Sequence, residues 1–581
     1  MALKLNPEAK AVYRSIREEI KRRLVLPGSL HILDEFEPTP EVEEILRRQA
    51  YFRENLSNLR PELKGEIANV KPIKFRRDYL HDRILIVDDD ELERAKNLGL
   101  CEVSTNLEDV EGYSLVLSTV GYGIDVELTP SQIVPELYIM PLWENQETLG
   151  ALARIGELRG EGSVASEILR ELSEIKEMME RRKLLDGLEE LIAEKERGLN
   201  ERIAEKLEKF SLTLSGKELL DFLGELRAGN YGAIFRHFGD VENEILELIN
   251  EVENELSEKL GVTVELFPRE ELYPVTVPPE EVELLREELE RELKVGIYLK
   301  SREVLDEIRP LLPRLRGELE RVHELDFLLA VSEFTSGFSF PKLSDGGIAF
   351  VNGRHLFIEN PQPVSHVVGD VPDGFSVSGS ENVRGESVVI LTGANSGGKT
   401  SLLELITQIE ILAHMGFPVP AERAWIEPLD GLFFFRRKRS SYGAGTFETA
   451  LRSFVRALRN SRKKRSERKL ILIDEFEAIT EPGAAVRIIG GLLKIAYERS
   501  FYVVIVSHLG GELGEELPFA RVDGIEAKGL DDDLNLIVDR QPVFGKLGRS
   551  TPELIVESLA RRKRGKEREI FERVLRAFRQ E

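Results

Sequence analysis

At 581 residues the chain exceeds what one hydrophobic core supports and predicts about three to five folded units. A hydrophobic content of 41% suffices for packed interiors, yet no run reaches the ~18 apolar residues of a membrane helix and the charged start MALKLNPEAKAVYRSIREEI has no signal-peptide core, so the reading is a soluble cytoplasmic protein without a membrane partner. The single cysteine, Cys101, excludes a disulfide framework and a thiolate metal cluster, and the net charge of -25 argues against indiscriminate coating of nucleic acid.

The charged fraction of 32% exceeds the ~25% usual for globular chains and fits the surface ion-pair networks of a heat-adapted organism. Positive charge is concentrated in runs at 436–439, 459–469 and 561–568.

In chain order, residues 1–75 read as helical. Residues 76–142 pair β-branched runs with a helix, as in RILIVDDDELERAKNLGLCEV, and predict a small α/β insert. Asp88, Asp89 and Asp90 within it read as helix-capping carboxylates, because neither the phospho-acceptor aspartate on a later strand nor the partner lysine of a two-component receiver is identifiable. Residues 143–335 carry long charged helices with few breakers, and Ile168, Leu172, Ile175 and Met179 recur at the spacing of a packed helix seam. Ser215, in LSGK, reads as a helix N-cap. Around Leu325–Phe334 apolar residues occupy more than one helical face, which predicts a buried helix. A compact α/β domain follows over 336–540, then basic helices over 541–581.

The sharpest signal is LTGANSGGKTS. Gly393, Gly398, Lys399 and Thr400 satisfy G-x-x-x-x-G-K-[ST], with SVVILT as the strand before and SLLELITQIEILAHMG as the helix after. Gly393, Ala394, Asn395, Ser396, Gly397, Gly398, Lys399, Thr400 and Ser401 are therefore the predicted nucleotide-binding loop. Backbone N–H groups there turn toward the phosphates, Lys399 reaches the β/γ oxygens and Thr400 offers a hydroxyl to Mg²⁺. Downstream, KLILIDEF ends an apolar strand in Asp474 and Glu475. Asp474 is placed to hold Mg²⁺, and Glu475 to orient or deprotonate the attacking water. FYVVIVSHLG ends a third strand at His508, placed to touch the γ-phosphate.

These residues carry a resemblance to the MutS family of ATPases. GANSGGKTS resembles its G-P-N-M-G-G-K-S-T, with Ala394 and Ser396 in place of Pro and Met; VNGRHLFIE, HELDFLLAVSEF, GFPVPAERAWIEPLDGLFF and KLGRSTPELIVESLA resemble further family motifs over roughly 320–560. The resemblance implies a helical core, lever and clamp region with a small α/β insert, then an ABC-type P-loop ATPase domain and C-terminal helices that serve dimerisation. It implies ATP and Mg²⁺ as cofactors and a homodimer whose composite site receives a loop from the partner copy. The family's S-T-F-x-x-E has as its counterpart Gly445, Thr446, Phe447 and Ala450, leaving Thr446 or the Gly445 N–H as the trans group. No base-stacking aromatic is evident near 363–367, and His366 stands in for it.

The mismatch-reading G-x-F-x-E motif has no counterpart; Phe52-Arg53-Glu54 reads as plain amphipathic helix. No H-G-x-G of a Smr nuclease follows residue 540. The resemblance is thus to the MutS-II branch, and it implies an ATPase clamp on double-stranded or branched DNA, Holliday junctions above all, in recombination or repair. Rescue of stalled ribosomes is the alternative. No protein partner is identifiable.

Overall fold

The computed structural model describes residues 2–578 apart from 58, 210–214, 229–231, 270–272, 394–396, 437–443, 460–466, 476–481, 531–535, 549–551 and 564. The chain forms two compact units, one of residues 1–67 with 321–581, the other of residues 68–320.

The first unit is organised around six parallel strands in the order Lys4–Leu5, Gly431–Phe435, Lys469–Asp474, Tyr502–Val506, Val388–Gly393, Arg521–Ile525. Runs such as LILI and YVVIV are apolar throughout because such a sheet is covered on both faces. On one face lies helix Lys399–Met415. Nearly all of it is buried, because helices Pro7–Lys21 and Val42–Leu56 close over the side turned from the sheet. A second sheet joins Lys342–Leu343, Arg423–Ile426, Gly347–Gly353 and Val364–Gly369, antiparallel except for its first pair.

The N-terminal residues correct the sequence reading. They are not only a helical part of the core: Lys4–Leu5 is an edge strand of the nucleotide-domain sheet. Asn6 fixes this docking. Its Oδ1 accepts from Ala9 N–H at 3.1 Å, capping helix Pro7–Lys21, and from Phe434 N–H at 3.1 Å, while its Nδ2 donates to the Phe434 carbonyl at 2.7 Å. Phe52 is fully buried among Phe36, Phe327 and Phe417, 4.5 Å from the last ring centroid, so it is core, as its amphipathic context predicts. Phe327, Leu328, Val331 and Phe334 of helix Leu312–Phe334 enter the same core.

The second unit contains the α/β insert as a four-stranded parallel sheet ordered Cys101–Ser104, Leu80–Ile86, Leu115–Ser118, Ile124–Asp125. Buried Arg83 is paired with Glu136 at 2.8 Å and Asp82 at 2.8 Å. Asp88, Asp89 and Asp90 are exposed and do not cap the following helix: the cap position of Leu92–Leu98 falls on Glu91, and no side chain makes the bond. The backbone carbonyls of Asp88 and Asp89 accept from Glu91 and Leu92 instead, at 3.0 and 3.4 Å. Ile168, Leu172, Ile175 and Met179 are all buried, although a 3-10 segment, Ser173–Ile175, interrupts the helix that carries them. Helices Leu188–Lys209 and Gly232–Leu260 run antiparallel, as the ion pairs Lys195–Glu255, Arg202–Glu251 and Lys206–Glu244 require. Ser215 caps helix Gly216–Arg227 reciprocally with Glu218: Oγ accepts from Glu218 N–H at 3.4 Å, and the Glu218 carboxylate accepts from Ser215 N–H at 2.8 Å.

Candidate nucleotide site

The phosphate loop leaves strand Val388–Gly393 between its neighbours Tyr502–Val506 and Arg521–Ile525. Gly393 has φ 113°, and a Cβ there would lie 2.0 Å from the Ile525 carbonyl oxygen, so no side chain is tolerated. Gly398, at φ 82°, turns the chain into helix Lys399–Met415. Ala394, Asn395 and Ser396 lie outside the described residues; Gly397 is buried and Ser401 half-buried at the helix start. Lys399 is 4% exposed, and its Nζ donates to the Gly393 carbonyl at 2.7 Å, bridging the two ends of the loop.

One helix position on, Thr400 Oγ1 donates toward both carboxylate oxygens of Asp474, at 3.1 and 3.0 Å. Burial pushes the Asp474 carboxyl up from its usual range and the neighbouring Glu475 charge adds to this; the Thr400 hydroxyl, Arg436 and Lys399 act the other way. A half-buried carboxylate beside a hydroxyl is an oxygen-donor pair suited to Mg²⁺, which is typically held by one or two protein oxygens with phosphates and water completing the shell. No cluster of three His, Cys, Asp or Glu able to cage a metal occurs among the described residues, in keeping with that open arrangement.

Glu475 adopts φ 48°, rare for a residue with a side chain. Its N–H donates to the Val506 carbonyl at 3.1 Å, tying it to the adjacent strand, and its Oε1 lies 3.2 Å from His508 Nε2. The register Asp474↔Val506 and Val506↔Leu391 brings the acidic, histidine and phosphate-loop strand ends to the same edge of the sheet. Lys399, Thr400, Asp474, Glu475 and His508 therefore lie together at one edge of the sheet.

His366 does not. Its ring is 1% exposed in the middle of strand Val364–Gly369, stacked on Phe544 at 6.1 Å between centroids, and both ring nitrogens lack hydrogen-bond partners among the described residues. Burial, and then the Arg521 charge, lower its pKa to about 3. Every residue of this strand is buried, so the side chain lies in the core on whichever face it falls and cannot meet a base at the surface. Gly445 and Thr446 fall in the first turn of helix Ala444–Leu458.

Two features escaped sequence reasoning. Arg540 lies across Gly398: its Cδ is 3.5 Å from where a Cβ would stand, and its guanidinium has no partner among the described residues. Its backbone is held by Arg540 N–H donating to Gln362 Oε1 at 3.2 Å, while Gln362 Nε2 donates to Asp539 Oδ1 at 2.9 Å. The second is a cluster of His355, Glu404, Gln408 and Arg436 at the phosphate-loop helix. Neither follows a spacing rule, although His355, Glu404, Gln408 and Arg436 all fall in stretches singled out above.

A glycine loop at a helix start, a lysine folded over it and a threonine bonded to a strand-end aspartate define a P-loop nucleoside-triphosphatase domain. A family model, MutS domain V, matches residues 389–488. The chain is 54% identical over 577 residues to the DNA-binding protein MutS2 of Pyrococcus furiosus, covering 99% of this chain and 100% of that one. It is 28% identical over 244 residues to an endonuclease MutS2 of Gemmatimonas aurantiaca, covering 40% of this chain and 28% of the relative. Over 201 residues it is 30% identical to the DNA mismatch repair protein Msh3 of Dictyostelium discoideum, covering 33% and 13% respectively. The chain belongs to the MutS family, in its MutS2 type, and its domain V is an ABC-type ATPase domain. No described helix is long and apolar enough to cross a membrane.

Proposed function

We propose that this protein is a dimeric, ATP-hydrolysing clamp on branched duplex DNA, four-way junctions above all, serving recombination or repair. The observation that carries the reading is its likeness, along the whole chain, to a relative named a DNA-binding protein, joined to a P-loop beside which Asp474, Glu475 and His508 lie.

In this reading Lys399 exchanges the Gly393 carbonyl for the β/γ-phosphate oxygens. Thr400 and Asp474 hold Mg²⁺, which supplies charge neutralisation on the phosphates when bound. Glu475 accepts a proton from the attacking water or orients it, and His508, beside Glu475, fixes that carboxylate and faces the γ-phosphate. Gly445 and Thr446 of a second copy complete the site. The antiparallel helices of the second unit form the arms, and their ion pairs suit a heat-adapted protein. Coupling is reciprocal: if ATP changes the grip on DNA, DNA changes ATP affinity by the same factor.

The test is mobility of the purified protein with four-way, mismatched and linear DNA of equal length, with and without a nonhydrolysable ATP analogue, alongside solution scattering. Preference for the junction and a nucleotide-dependent dimer support the proposal. Equal affinity for all three DNAs removes the junction preference, and a monomer under every condition removes the clamp. Co-sedimentation with ribosomes in the absence of DNA binding transfers the ATPase to the translation machinery.

A further inference from the structure

Helix Ala444–Leu458 is anchored to the nucleotide-domain sheet near its end. Among its described side chains the buried ones are Phe454, Ala457 and Leu458, all in the last two turns, where they share a core with Ile471, Ile473 and Phe501. The Phe454 ring meets the Phe435 ring edge-on at 5.8 Å between centroids. Gly445 and Thr446 stand in the opposite, first turn.

The last carbonyls of a helix have no partner within it and carry partial negative charge. Here two cations meet them. Lys469 Nζ donates to the Ala457 carbonyl at 3.0 Å and to the Arg459 carbonyl at 2.6 Å, and the Arg499 guanidinium donates to the Leu458 carbonyl. Lys469 is also ion-paired with Glu467 at 2.9 Å, and both residues are 2% exposed. Glu467 in turn accepts from Lys4 Nζ at 2.7 Å, which ties the helix end to the edge strand Lys4–Leu5. Lys469 opens strand Lys469–Asp474, so this anchor sits at the end of the strand away from Asp474 and the phosphate loop.

We propose that Lys469 is a positioning residue for the active site of the partner copy: by fixing the C-terminal end of helix Ala444–Leu458, it sets where Gly445 and Thr446 meet that copy's γ-phosphate. This rests on the composite-site reading above. Desolvating an ammonium is costly, so the buried pair contributes little net stability; what it supplies is one position for the helix end. From Leu458 to Thr446 the helix spans ~18 Å, and a tilt of about 3° at the anchor displaces Thr446 by ~1 Å. A misplacement of about 1 Å can lower a rate on the order of 100-fold.

The experiment measures ATPase rate, ATP affinity with a fluorescent analogue, melting temperature and solution scattering for the wild type, Glu467→Gln/Lys469→Met, Arg499→Gln and Glu475→Gln. The double variant removes both buried charges together, so neither is stranded. Its kcat should fall about tenfold with ATP affinity within about twofold of wild type, and Arg499→Gln should lose about threefold. Mixed dimers of each with Glu475→Gln, isolated by tandem affinity purification after co-expression, separate positioning from folding. In them the subunit with an intact Glu475 receives its helix from a partner with an intact Lys469 and Arg499. The rate per intact Glu475 should therefore return to within about twofold of wild type, whereas a damaged fold stays with its own subunit. The control Gly445→Pro/Thr446→Ala removes both candidate trans groups, at a helix start where proline is tolerated, and should be restored by Glu475→Gln in the same way. Restoration of the control without restoration of the Lys469 variant, or wild-type kcat in that variant, overturns the inference. Restoration of neither, or scattering by monomers alone, defeats the composite-site reading and this inference with it. If the Lys469 variant does not fold, Arg499→Gln decides: full activity, or a loss that Glu475→Gln does not restore, overturns the proposal.

Discussion

Thr400 and Asp474 are joined through one hydroxyl that reaches both oxygens of one carboxylate, linking the phosphate-loop helix to a strand two places away in the sheet. Asp474→Asn keeps the shape of this contact but removes the charge that a divalent cation needs. Turnover at saturating Mg²⁺ should fall by about 100-fold or more, while nucleotide binding without metal changes little. An Mg²⁺ titration of ATPase rate checks this; a variant with wild-type turnover excludes Asp474 as a metal ligand.

Glu475 is held in the left-handed region by its bond to Val506, which aims the carboxylate at the same edge as His508. Glu475→Gln preserves the size and the backbone but cannot take a proton. Its kcat should drop by roughly 10²- to 10⁴-fold with ATP affinity within about twofold of wild type. Single-turnover kinetics separate the two quantities, and unaltered kcat eliminates the residue from the chemistry.

Arg540 lays its side chain against Gly398 of the phosphate loop, on backbone that Gln362 holds. Arg540→Ala should raise KM for ATP, and weaken ADP as well, by about three- to tenfold at constant kcat. Equal affinity in the variant places Arg540 outside the site.

His366 makes a prediction about pH. Its folded pKa, about 3, lies below the ordinary 6.5, so the unfolded chain takes up a proton that the folded protein refuses. Stability from this group is complete above 6.5 and is lost as pH falls toward 3, at ~1.4 kcal/mol per pH unit. His366→Phe, with its ring still against Phe544, should melt higher than wild type. Its advantage should grow by about 2 kcal/mol between pH 7 and pH 5. Melting curves at both pH values test it; a constant difference removes His366 as the titrating group.

What was legible in the sequence follows from how each residue is constrained. Strands buried on both faces read as unbroken apolar runs, so the polar residues ending them, Asp474, Glu475 and His508, stand out without any coordinates. The capping pair Ser215 and Glu218 was half visible for a similar reason: it depends on neighbours three residues apart. Lys4–Leu5 had no such mark, since two residues show no period and their strand exists only because Gly431–Leu432 and Asn6 complete it. His366 was misplaced because a histidine looks the same in sequence whether its strand turns it inward or outward. Asp88, Asp89 and Asp90 had the composition of caps, but the helix begins one residue later than they allow.

The strand at Lys4–Leu5 bears on how the protein is made. A ribosome releases this edge strand more than 400 residues before its partner, Gly431–Phe435, so the ATPase sheet cannot close until that partner has emerged. Residues 68–320 leave from and return to one folded body, so their core can assemble while the flanking halves are still apart. A bulky group fused directly ahead of Leu3 would press on the edge strand of that sheet.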